Sequence, residues 1–105
     1  MAPKEPTAEY DDLDSVLSIS GQGFYLQIVI SPQELRSLSV VDTAEWNRRT
    51  SIRAGEALGN PVFWCRSTED PTAVTVLVGA DDEAWGLSLE IPAATLLGAL
   101  PGRPR

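Results

Sequence analysis

The chain has 105 residues, 43% of them apolar, and a formal net charge of −7. Such a length and composition describe one modest globular domain and exclude wholesale disorder. The charge has the wrong sign for nucleic acid or anionic lipid, whose binding rests on cationic side chains, and it suits a basic protein partner.

The first 14 residues, rich in Pro, Glu and Asp, read as a flexible acidic tail. They lack the basic and apolar regions of a secretory signal, and no apolar run nears the roughly 18 residues that span a bilayer. A cytoplasmic protein that meets no membrane is therefore expected. The single cysteine, Cys65, cannot form an internal disulfide, which fits a reducing compartment. Arginine replaces lysine at nearly every basic position, a bias of high-GC bacterial coding that carries no mechanism.

Residues 15–100 read as a single α+β domain. Val16–Ile19 predicts a first strand, Gly21-Gln-Gly23 a turn, and Phe24–Ile30 a second strand with Leu26, Ile28 and Ile30 alternating onto one face. Ser31-Pro-Gln-Glu34 is the sharpest local signal. Ser31 can cap a helix, Pro32 suits its first position, and Glu34 can close a capping box. Leu35 and Leu38 then face the core. Asp42-Thr-Ala-Glu45 offers a second capping box, so one kinked helix to about Arg49, or two short ones, is expected.

Ser51–Leu58 fits either a strand or a helix continuation, and Gly55 tips it towards strand. Gly59-Asn60 is a turn signal. Val62–Cys65, Ala73–Val78 and Trp85–Ile91 predict a three-strand meander, with Trp85, Leu87, Leu89 and Ile91 on one side. Ala93–Leu100 predicts a short closing helix, and residues 101–105 a second flexible tail. The expected fold is an antiparallel sheet of about five strands covered on one face by a helix. Its core should use Leu26, Ile28, Val76, Val78, Leu87 and Leu89, with Leu35 and Leu38 packing from the helix.

The chemistry on offer is narrow. The chain contains no histidine and one cysteine, so imidazole-based catalysis and nitrogen/sulfur metal centres cannot be assembled within it. Gly21-x-Gly23 lacks the remaining spacing of a nucleotide loop, and the only lysine is Lys4. No cofactor, no metal and no enzyme activity are expected. Cys65 reads as a buried small hydrophobe, and Trp46 and Trp64 read as core. Arg48, Arg49 and Arg53 form a small basic patch expected to pair with Glu45 and Glu56.

Asp81, Asp82 and Glu83 form the one dense carboxylate cluster in the body of the chain, with Trp85 at its edge. The cluster lacks the alternating ligand spacing of a calcium loop. A solvated turn is the plain reading. The functional one is a contact surface for a basic protein, with Trp85 as anchor. Small size, acidity and the missing catalytic set are shared in kind with small bacterial immunity or inhibitor proteins, although no family motif is present. The expected function is thus toxin neutralisation by direct binding. An accessory subunit of a larger assembly is the alternative, ahead of an enzyme using carboxylates and arginines alone.

Overall fold

The computed structural model describes residues 6–21, 23–81 and 83–100. Seven antiparallel strands follow one another in sheet order as in sequence: β1 (Thr7–Asp11), β2 (Val16–Gly21), β3 (Phe24–Val29), β4 (Ile52–Ala57), β5 (Asn60–Arg66), β6 (Ala73–Gly79) and β7 (Trp85–Pro92). The domain is α+β, but its sheet exceeds the expected five strands. One added strand is β4, whose stretch the sequence left ambiguous. The other is β1, which corrects the expected tail. Its Thr7, Glu9 and Asp11 are exposed while Ala8 and Tyr10 pack against the core, so acidic side chains alternate with apolar ones. The Tyr10 hydroxyl donates to the Ile30 carbonyl at 2.8 Å and fastens this edge strand. Residues 1–5 and 101–105, where the expected tails begin and end, lie outside the described residues.

Between β3 and β4 the chain leaves the sheet. Helix α1 (Pro32–Ser37) starts with the expected capping box: Ser31 Oγ accepts from Glu34 N–H, and Glu34 Oε1 accepts from Ser31 N–H. The helix lasts six residues and tightens into a 3-10 segment, Leu38–Thr43. A non-helical Val40 sits inside that segment, at the β-branched pair Val40-Val41. The second capping box does not form. Thr43 instead donates its hydroxyl back to the Val40 carbonyl, and only a three-residue 3-10 turn, Trp46–Arg48, follows. The long or paired helix expected here is therefore replaced by short turns.

The core lies on one face of the sheet. Leu17, Ile19, Leu26, Ile28, Val62, Trp64, Val74, Val76, Val78 and Ile91 are buried there against Leu35, Leu38 and Val41. Leu87 and Leu89, expected to be full core members, are only half-buried at the sheet edge. Helix α2 (Ala93–Gly98) packs against β1 at one edge and against β6 and β7 at the other, so the sheet curls until both margins meet one helix.

Two bulges shape the sheet. In β4, the steps from Arg53 to Glu56 oppose only those from Phe63 to Pro61, so one extra residue is accommodated at Ala54-Gly55. The Ala54 carbonyl is met by the buried Trp64 indole, whose Nε1–H donates to it at 2.8 Å. An unpaired buried carbonyl would cost about 1–3 kcal/mol. In β7, Leu87 pairs with Val78 and Trp85 pairs with Gly79, which leaves Gly86 as the extra residue. Side chains alternate with period two, so this bulge moves Trp85 to the face opposite Leu87. It corrects the expected grouping of Trp85 with Leu87, Leu89 and Ile91.

Candidate functional site: a groove between two tryptophans

The outer face of β5, β6 and β7 carries rows of paired residues: Phe63, Leu77 and Ser88, then Cys65, Thr75 and Glu90. Over the second half of this face lies a groove of about 360 Å³. Cys65 and Leu77 are buried in its floor, beside half-buried Thr75 and exposed Ser88. Trp46 and Trp85 line it and remain 41% and 44% exposed. Arg66, Glu69 and Glu90 supply its charges.

Trp46 arrives by way of the loop after the first 3-10 segment. The Arg66 N–H donates to the Ala44 carbonyl at 2.8 Å, where the chain passes the end of β5. Residues 45–50 then close on themselves. Thr50 N–H donates to the Glu45 carbonyl at 3.0 Å, and Glu45 N–H donates to Thr50 Oγ1 at 2.8 Å. Arg49 turns the chain with a left-handed φ of 59°. The self-bonded loop presents Trp46 to solvent, which corrects its expected place in the core; Trp64, by contrast, is fully buried as expected.

Trp85 is positioned by the bulge and by the carboxylate turn before it. The Asp81 carboxylate accepts from the backbone N–H of Glu83 and of Ala84, both at 2.7 Å. Gly79 admits the close approach of the returning chain, since a Cβ there would lie 2.3 Å from Trp85 Cα. Of the three clustered acids, Asp81 thus organises its own turn, Glu83 is ion-paired with Arg49, and Asp82 lies outside the described residues. The Arg49–Glu83 pair joins the loop of Trp46 to the turn before Trp85, and both charges line a second cleft with Trp46. The expected partner of Arg49 was Glu45. That carboxylate instead accepts from Arg66 at 2.8 Å and meets Arg48 at 3.1 Å.

The groove's far end is built by the turn between β5 and β6. Ser67, buried, donates its hydroxyl to Glu90 Oε2 at 3.0 Å and accepts from the N–H of Glu69 and Asp70. Thr75 also donates to Glu90 Oε2, at 3.4 Å. Asp70 is held below the usual carboxylate range by its hydrogen bonds from the Thr72 hydroxyl and N–H.

Among the described residues, no three carboxylate or thiol side chains gather as a metal site, and no helix is long and apolar enough to cross a membrane. Sequence reasoning reached Trp85 but missed Trp46, Glu69 and Glu90. The spacing of Ser88 and Glu90 on the polar face of β7 was the available signal; nothing local announced Trp46. Comparison with known proteins yields no matching family model, curated relative or solved structure.

Proposed function

We propose that this chain is a non-catalytic protein-binding domain that docks its partner over the groove between Trp46 and Trp85. One observation carries the reading: two half-exposed tryptophans, one on the self-bonded loop 45–50 and one at the start of β7 behind the Asp81 turn, line a single groove. Large aromatic side chains held in place give much contact area at little ordering cost, which is how binding hot spots are built. Ordinary surface tryptophans need no such scaffolding.

The more specific role is that of a small acidic immunity or inhibitor protein that neutralises a toxin by direct contact. The net charge of −7 and the absence of histidine support it. The charge favours fast encounter with a basic target. Asp81, Asp82 and Glu83 are three of the chain's negative charges and shortly precede Trp85 in the sequence. The alternative, an accessory subunit, draws on β7, an eight-residue edge strand able to accept a neighbouring strand.

The test is affinity capture from the native host with wild type and with the Trp46→Ser/Trp85→Ser variant, then reconstitution with the purified partner. A one-to-one complex weakened on the order of thirtyfold in the variant supports groove docking. A Tyr25→Ser variant, altered on exposed β3, should bind as wild type. Equal affinity of the double variant would remove the groove from the interface. For the immunity role, the partner must arrest growth alone and be tolerated when co-expressed with this chain. A harmless partner would favour the accessory-subunit reading.

A further inference from the structure

Arg66, the arginine that lines the groove, is ion-paired within the domain to Glu45, which also meets Arg48. The two glutamates of the groove are not. Among the described residues, no cation pairs with Glu69 or Glu90, and both are exposed. Ser67 and Thr75 both donate to Oε2 of Glu90, which fixes the carboxylate while Oε1 receives no hydrogen bond from the described residues. The groove therefore combines two indoles, an apolar floor of Leu77 and Cys65, and an uncompensated, oriented carboxylate.

We infer that the groove between Trp46 and Trp85 receives an arginine side chain of the partner, with Glu90 as its counter-ion. The inference rests on the docking reading and names the chemistry that the groove selects. An indole face attracts a cation, and a planar guanidinium stacks on it while its edge donates to a carboxylate. Ammonium is compact and strongly hydrated, so lysine fits the same place less well. A neutral donor can hydrogen-bond Glu90 but lacks the charge attraction, and an acidic side chain meets the repulsion of both Glu69 and Glu90. The arginine's alkyl stem packs on Leu77, which is buried in the groove floor.

The experiment uses the intact chain and needs no partner. Capped tripeptides Gly-Arg-Gly, Gly-Lys-Gly and Gly-citrulline-Gly are titrated while the three indole N–H resonances are followed by NMR. The arginine peptide should move the Trp46 and Trp85 signals saturably, in roughly the millimolar range expected of so small a ligand, and leave buried Trp64 in place. Lysine should bind more weakly, and citrulline, the neutral isostere, at least several-fold more weakly still. Glu90→Gln should weaken arginine binding several-fold without shifting Trp64. Citrulline binding as well as arginine, or shifts that never saturate, would overturn the assignment. If that occurs while the Trp46→Ser/Trp85→Ser variant still loses the partner, docking stands and only the occupant is wrong. If the arginine peptide binds while the variant keeps the partner, the groove is a cation site outside the interface.

Discussion

Arg49 and Glu83 form an ion pair across 34 residues of sequence, and they join the loop that holds Trp46 to the turn before Trp85. Their side chains are 65% and 55% exposed, so the pair is worth under about 1 kcal/mol to folding. Its consequence is positional. Glu83→Gln should leave the unfolding midpoint almost unmoved yet shift both the Trp46 and Trp85 indole resonances. Exchanging the charges, Arg49→Glu with Glu83→Arg, should return them towards wild type. A lone Trp85 shift would show that the two loops are not coupled.

Gly79 is the position on which Trp85 depends. A Cβ there would stand 2.3 Å from Trp85 Cα and 2.5 Å from the Ala84 carbonyl oxygen, both backbone atoms with little room to yield. Gly79→Ala should destabilise the domain by about 1–3 kcal/mol in urea unfolding. In whatever folds, the β7 bulge must shift, so Trp85 should lose its wild-type fluorescence maximum. A variant with wild-type stability and emission would show that the turn does not depend on this approach.

The strands with strict alternation, the capping box at Ser31 and the closing helix were legible in the sequence because each is fixed by local chemistry. What was not legible has a common physical cause. One inserted residue, Gly86, inverts the face of Trp85, and a bulge in mid-strand leaves no local mark beyond a glycine that also suits a turn. Strand β1 was hidden because its alternation, Ala8 and Tyr10 against Thr7, Glu9 and Asp11, lies within an acidic stretch that follows two prolines, Pro3 and Pro6. Trp46 reads as helical core until Ala44 is seen bound to Arg66, a contact across 22 residues. The groove is thus made of long-range placements, while its supporting turns are local.

Glu34 links the helix cap to the sheet. Its Oε2 accepts from the Gly55 N–H at 3.0 Å, across the β4 bulge, while its Oε1 closes the cap at Ser31. The Gly55 N–H bond first and the Ser31 N–H bond second hold its carboxyl below the ordinary glutamate value, helped less by the Ser31 side chain and the charge of Arg53, and opposed by burial. A pKa depressed on folding stabilises the native state above the unfolded pKa, and that contribution disappears as pH falls through the folded pKa. Wild type should therefore melt above Glu34→Gln at neutral pH, and the gap should narrow as pH drops below the usual glutamate range. A gap that stayed constant into acid would assign the effect to shape rather than charge.

Leu58 is the clearest place where this fold holds a residue against its preference. The β4–β5 hairpin turns on Leu58 and Gly59, one residue before the Gly59-Asn60 signal, with Ala57 paired to Asn60. Both turn residues have left-handed φ, 55° at Leu58 and 79° at Gly59. Such a two-residue turn matches strand twist, and it favours asparagine then glycine. A leucine there bears roughly 1–2 kcal/mol of steric strain, and its side chain, 75% exposed, recovers little by burial. Leu58→Asn removes most of that strain at a site remote from the groove residues named above. It should raise stability by about 0.5–1 kcal/mol in equilibrium unfolding and leave the Trp46 and Trp85 indole resonances unchanged. Leu58→Ala, which keeps the Cβ without the asparagine preference, should gain less. If Leu58→Asn instead lowered stability, the leucine side chain would have to be engaged with something that its exposure does not reveal, and a contact surface at this turn would be the place to look for it.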